Sequence, residues 1–491
     1  MLFSCFNQSL ISKIQMIKLK IKTRSIATSY ISEGLRRIAP YAVLAFSLTL
    51  LGCKIFDPQA DKKPLEGNRI DIFGTDGIEK AEVDPKTAQQ FYAKKQPYPI
   101  QISKATNQNS GNLSFNWENV KEARVFNSFS SKAINSATSP IITETKFITL
   151  EQNGVLALYD RANNTSWSNE FFINKDLEFW GRQYKSGAIL LDQEVVFATS
   201  GSEYIAAFCA KTGQTLWSTK LSRPLRGGLT IVRGNLVATA LDSTIYVLNQ
   251  KTGQLVWRSV VPRKDGHTIQ TIAAPKFTIL NSKATNNLRY HNDTNLTAIL
   301  QDHQGNITYF TINGDKYDVI GAITPESYSI SPNVGNVLTQ HSNARIRNSL
   351  MVATFDNGAL IGIDSNTQKI LWRYNYGIKK EIWAANDLVY AINFRSELMA
   401  INSINGKILW VQNLNQANDK KSKNKQQWTA PIVAGNNVVT ISANGELLAF
   451  DMFRGDLKHR IQVKRPQMLQ PTILDGKMYI LAVDGTIQEL Q

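Results

Sequence analysis

The sequence predicts an all-β fold, an eight-bladed β-propeller of four-stranded antiparallel blades closed by an N-terminal strand. Three observations carry that prediction. The first is an internal repeat. Asp242–Trp257 reads DSTIYVLNQKTGQLVW, an alternating strand, a Gly-containing turn and a second strand ending on Trp. Ser202–Trp217, Gly358–Trp372 and Ser396–Trp410 repeat it, Asn153–Trp167 is a looser copy, and Asn444–Leu457 lacks the Trp. The second observation is the spacing. Units begin near Gly154, Gly201, Asp242, Gly305, Gly358, Arg395, Gly445 and Gly485. Two further short apolar strands precede most of them, which gives four strands per unit, as in a propeller blade. The third is the incomplete last unit. It stops after its third strand at Gln491, whereas Leu113–Trp117 (LSFNW) is a spare strand ahead of the first unit. An unpaired strand edge is a liability, so Leu113–Trp117 is expected to complete the last blade.

Before the repeats the chain has two other regions. Residues 1–52 hold a basic stretch containing Lys13, Lys18, Lys20, Lys22, Arg24, Arg36 and Arg37, then the apolar run Tyr41–Leu51. A charged segment followed by so short an apolar one reads as a secretory signal rather than a spanning helix. Leu50-Leu51-Gly52-Cys53 is similar to a bacterial lipobox, which implies cleavage before Cys53 and its lipidation; an uncleaved signal anchor is the alternative. Residues 53–112 are rich in Pro, Asp, Lys, Gln and Asn without periodicity, and read as an extended tether. Stretches such as Asn68–Phe73 could dock on the folded domain, residues 113–491.

Within the repeats, Trp167, Trp217, Trp257, Trp372 and Trp410 close the fourth strands, and Trp117 ends the spare strand. We expect these rings to pack between neighbouring blades, where they bury much apolar area. The Asp or Asn before each turn (Asp160, Asn249, Asp364, Asn402, Asp451) is expected to hydrogen-bond the turn backbone. The unit at Gln304–Tyr317 is degenerate and follows an Asn-rich insertion, Asn281–Asn295.

The formal charge of +16 raises the question of nucleic acid. Part of that charge lies in the first 52 residues, and no aromatic-studded basic strand follows. The cluster Lys420, Lys421, Lys423 and Lys425 reads as a solvated loop, so no nucleic-acid partner is expected. The five histidines are dispersed without metal-ligand spacing. There is neither a Gly-rich phosphate loop nor a nucleophile elbow. The blade pattern also resembles that of quinoprotein dehydrogenases, whose vicinal cysteines are absent here. The expectation is a non-enzyme without catalytic residues, cofactor or metal, with a quinone-dependent enzyme as the alternative. A generic periplasmic adaptor is a further one.

Lipobox, tether and Trp-marked blades together resemble the BamB family, the propeller lipoproteins of the outer-membrane β-barrel assembly machinery. The resemblance implies a scaffold anchored at Cys53 to the periplasmic face of the outer membrane. Its implied partner is the central barrel-inserting subunit, bound through that subunit's periplasmic domains. Unfolded barrel clients, bound by strand addition at a sheet edge, would be a second kind of partner. The family's interblade contact motif falls on Arg223-Pro224-Leu225-Arg226-Gly227, with Leu225 and Arg226 matching it and Arg223 replacing a leucine. A guanidinium beside an apolar residue on a loop suits an interface hot spot; capping of the turn is the other reading. The family's acidic contact pair is not evident in the equivalent stretch Gln270-Thr271-Ile272.

Overall fold

In a computed structural model, the described residues lie within 78–491. Outside the description are 1–77, 94–99, 102–110, 127–137, 153, 172–186, 241, 243, 260–275, 280–295, 302–306, 314–315, 324–337, 340–349, 355–357, 365–368, 379–380, 386 and 417–425. The expected signal segment, Cys53, the docking stretch 68–73, the Asn-rich insertion, Gln270–Ile272 and the lysine cluster all fall among these.

The described residues form eight sheets. In chain order they span 141–169, 188–220, 225–259, 276–323, 338–375, 383–413, 432–462 and 472–490. The first seven each contain four consecutive strands, antiparallel to their neighbours and paired in sequence order. Middle strands such as Leu350–Thr354 and Leu388–Ile392 are buried along their whole length. They read as unbroken apolar runs because both faces of each sheet meet another sheet. Fourth strands such as Thr215–Lys220 alternate between partly buried and exposed residues, as one-sided strands do.

Successive sheets pack face to face. Ile148, Leu156 and Leu158 of the first meet Val196, Ala206 and Phe208 of the second. Phe197 and Ile205 of the second meet Leu236 and Tyr246 of the third. The same holds along the chain, with Val237 and Val247 against Phe310 and Ile312, and Leu360 and Val352 against Val389 and Met399. The eighth sheet packs on the first, with Leu474, Tyr479 and Ile487 against Ile142 and Phe147.

The repeat motif accounts for much of this contact. The indole N–H of Trp167 donates to Ala210 O of the next sheet at 2.8 Å, and that of Trp217 to Gln250 O at 3.0 Å. Trp372 donates to Ser403 O at 2.8 Å and Trp410 to Met452 O at 3.1 Å. Each acceptor is the residue just after the Asp/Asn position of the following turn. The Asp or Asn side chain holds the same turn from inside: Asn249 Oδ1 accepts from Lys251 N and Thr252 N, and Asp451 Oδ1 from Phe453 N and Arg454 N. Asp160 and Asn402 act alike, while the turn after Asp364 lies outside the described residues. The turn glycine meets two demands at once. Gly455 has φ +75°, and a Cβ there would lie 2.7 Å from Trp410 Cδ2. In the second sheet Cys209 stands at the Asp/Asn position. Hydrogen bonds from the Thr212 hydroxyl and backbone N–H hold its thiol below the ordinary range.

The degenerate fourth unit shows what replaces the Trp. Trp257 stacks on Tyr317 at 4.9 Å between ring centres. At the fourth sheet's own Trp position stands Gly321, paired with Tyr309, whose buried ring packs with Met351 and Ile361 of the fifth sheet.

The expected closing strand is corrected by nine residues. Glu122–Phe126, not Leu113–Trp117, pairs antiparallel with Ile487–Leu490 and makes the fourth strand of the eighth sheet. Leu113 is taken up elsewhere, parallel to the first strand of the seventh sheet opposite Ala434. Trp117 donates to Ala434 O at 2.9 Å and stacks on His459 at 4.9 Å. With 112–117 committed to the seventh sheet, the next extended segment reaches the open edge. Where a Trp would mark the last boundary, Arg161 enters a cage of Phe126, Phe147 and Tyr479 rings, and Phe147 lies 4.5 Å from its guanidinium carbon. Its Nη1 also lies 3.7 Å from the buried carboxylate of Glu489, which Lys477 contacts at 3.1 Å.

Part of the expected tether is built into the fold. Residues 78–93 form a strap across the outer strands of the fifth and sixth sheets. Glu79 N donates to Asn375 O at 2.7 Å and Asp84 N to Ile408 O at 2.9 Å. The helix α1, Pro85–Ala93, follows. Asp84 caps it by accepting from Thr87 N at 2.8 Å, and Pro85 takes the first helical position. Tyr92 OH ends the strap on Phe453 O of the seventh sheet at 2.7 Å.

Candidate partner-binding surface

The loop 221–225 joins the second sheet to the third. Its ends are fixed by the backbone, with Leu221 N donating to Glu203 O and Leu225 N to Ser202 O, both at 2.8 Å. Ser222 Oγ shares a 2.8 Å hydrogen bond with Tyr246 OH. Between these anchors Arg223 projects, its side chain 62% exposed, with Nε 3.1 Å from Asp242 Oδ2.

Leu225 does not share that exposure. It is 0% accessible and packs with Leu221, Leu229 and Ala240 in the core between the second and third sheets. The expectation that Leu225 touches a partner is therefore corrected: it supports the loop from beneath. The next residues behave differently. Leu225 pairs with Ala240 and Leu229 with Ala238, so three residues, 226–228, oppose a single one. Such a bulge throws the extra residues out of the ladder, and a Cβ at Gly228 would meet nothing within 4 Å. Arg226 is one of the three; its side chain lies outside the description. Of the sequence-derived contact set, the structure thus leaves Arg223 exposed, sets Arg226 in the backbone bulge and withdraws Leu225.

No group of three or more His, Cys, Asp or Glu side chains suited to a metal occurs among the described residues. No described helix is long and apolar enough to cross a membrane. The strap was the contact surface that sequence reading passed over, although Asp84-Pro85-Lys86-Thr87 carries a helix-start signal.

Stacked four-stranded antiparallel sheets joined by a Trp-to-turn contact define a repeat protein of the β-propeller kind. A profile of the family "Outer membrane protein assembly factor BamB" matches residues 152–412 and 405–491, and the chain belongs to that family. The assembly factor BamB of Moranella endobia is 21% identical over 332 residues, covering 60% of this chain and 82% of that protein. The Salmonella typhimurium BamB is 20% identical over 339 residues, covering 62% and 84%. Among solved structures, BamB from Moraxella catarrhalis superposes with a TM-score of 0.54 at 14% identity, covering 76% of this chain and 99% of that one. The quinohemoprotein alcohol dehydrogenase of Comamonas testosteroni gives 0.58 at 11% identity, covering 84% and 82%. At such identities the structures share the fold.

Proposed function

We propose that this chain is a non-enzymatic scaffold of the outer-membrane β-barrel assembly complex, bound to the periplasmic domains of the central barrel-inserting subunit. The observation that carries this reading is family membership over the repeats, shared with relatives named as assembly factors. In this reading the eight sheets are the blades of a closed eight-bladed ring, with Glu122–Phe126 as its clasp. The segment 1–52 is a lipoprotein signal, Cys53 carries the lipid, and the ring is held at the periplasmic face of the outer membrane. Unfolded barrel clients meet it at outer strand edges.

The partner contact is assigned to Arg223 and Arg226, on a loop set by a rigid sheet pair. Planar guanidiniums beside a desolvated support favour a hot spot. The experiment is co-purification from detergent-solubilised membranes, with tagged wild type and the double variant Arg223→Glu, Arg226→Glu. Recovery of the central barrel subunit by wild type and its loss in the variant supports function and site together. Recovery by both retains the function and moves the site. If neither recovers it, the assembly role is refuted. Cys53→Ser tests the anchor separately: incorporation of labelled palmitate should disappear, and membrane association with it.

A further inference from the structure

Among the described residues the fourth strand of each sheet has no strand on its outer side, and where that strand carries a Trp the apolar residues before it differ sharply in exposure. In the sixth sheet Ile408 and Leu409 are 1% and 2% exposed. At the same two positions of the third sheet Leu255 and Val256 are 46% and 42% exposed. The local backbone is the same, since Ile408 and Leu255 both sit just before a bulge, two residues ahead of a Trp in identical register. What differs is the cover. The strap enters on Asn375 O of the fifth sheet, steps to Ile408 O of the sixth, and lays α1 along that strand, with Ala88 in the core and Phe91 packed against it.

The groove between the second and third sheets offers the same features. Lys220 stands three residues after Trp217, as Asn375 stands three after Trp372. It pairs with Tyr204 as Asn375 pairs with Ala359. Leu255 is the counterpart of Ile408. The difference lies in charge: Lys220, 61% exposed and in a loose surface contact with Glu203 at 3.7 Å, stands at the place where Glu79 meets Asn375, and Arg258 is exposed on the adjoining strand. A segment of the strap's design places an acidic residue opposite Lys220 and an apolar helix face over Leu255 and Val256.

We propose that the groove formed by Lys220, Leu255 and Val256 is a docking site for a partner protein's acidic extended segment leading into a short amphipathic helix. The partner uses two backbone carbonyls of the outer strands as the strap does. Such segments bind by laying apolar anchors into a groove, and the basic rim selects acidic over neutral sequences.

The probe is a fluorescent peptide of residues 78–93 (IEKAEVDPKTAQQFYA), titrated by anisotropy against the full chain. Saturable binding is expected, at least tenfold weaker for the double variant Leu255→Ser, Val256→Ser and several-fold weaker for Lys220→Glu. The arginine variant of the preceding section should bind as wild type does. Lys220, Leu255 and Val256 are exposed, and matched unfolding midpoints verify the fold. Absence of saturable binding, or binding unaffected by these variants, overturns the proposal. A concentration-dependent dimer in sedimentation velocity, lost when residues 78–93 are deleted, also overturns it, because the occupant is then a second copy's strap.

Discussion

Gly455→Ala separates the two demands that the repeat places on its turn glycine. The backbone demand is φ +75°, where a side chain costs about 1–2 kcal/mol. The packing demand comes from Trp410, whose Cδ2, Cε3 and Cγ would lie 2.7, 2.8 and 3.0 Å from the new methyl. That indole is buried and pinned through its N–H to Met452 O, so it cannot swing away freely. Overpacking of this kind adds about 1–3 kcal/mol, for a total of about 2–5 kcal/mol. Gly476→Ala is the control. It has φ +70° with nothing within 4 Å of the added carbon, so only the backbone cost of about 1–2 kcal/mol applies. Equilibrium urea unfolding, read as a midpoint shift at constant m, measures both. In a Trp410→Leu background the cost of Gly455→Ala should fall to that of Gly476→Ala. Equal destabilisation by the two single variants would refute the claim that the glycine is required by the neighbouring sheet's Trp.

Three further outcomes follow from the same geometry. Cys209→Asn should stabilise the chain by about 0.5–1 kcal/mol in thermal unfolding, because an amide oxygen accepts the Thr212 N–H better than sulfur does and the other turns use it. Arg161→Met should cost more than about 2 kcal/mol, since it removes one of the two cations beside the buried Glu489 carboxylate and strips the aromatic cage of its cation. A stability equal to wild type in urea unfolding would contradict that. The hydrogen bond from Thr87 N holds the Asp84 carboxyl below its ordinary range, so the cap contributes fully above that range and is lost as pH falls through the depressed value. The Thr87 amide shift in a selectively labelled sample should therefore titrate below the ordinary aspartate range, and Asp84→Ala should abolish that titration.

The Trp spacing and the Gly turns made the sheets legible, because each unit repeats one backbone register and one set of contacts. The same periodicity misled at the ends. LSFNW looked like a fourth strand because Trp117 occupies the expected place in such a strand, yet its indole serves the seventh sheet. The true partner of Ile487–Leu490, Glu122–Phe126, carries no Trp and showed no repeat signal, since its boundary is sealed by Arg161 and three rings instead. At the candidate contact loop, Arg223 and the Arg226 bulge were visible as a loop motif. The burial of Leu225 was not, because a leucine at a strand start reads alike whether it faces core or solvent. The strap was hidden by composition: Glu79, Lys80, Glu82 and Lys86 look like a tether, while the residues it covers, Ile408 and Leu409, look like those left bare elsewhere.

The pairing of Glu122–Phe126 with Ile487–Leu490 bears on how the chain becomes folded. Gln488 and Glu122, whose side chains hydrogen-bond, stand 366 residues apart. Bringing such distant segments together costs roughly 5 kcal/mol of loop-closure entropy. The seven preceding sheets reduce that cost only by assembling first, so their order of formation is coupled to the final step. A linear array of repeats can fray from either terminus. Here Glu122–Phe126 and Ile487–Leu490 each wait for the other before either is protected, so an intermediate in which they have not yet met presents an open strand edge.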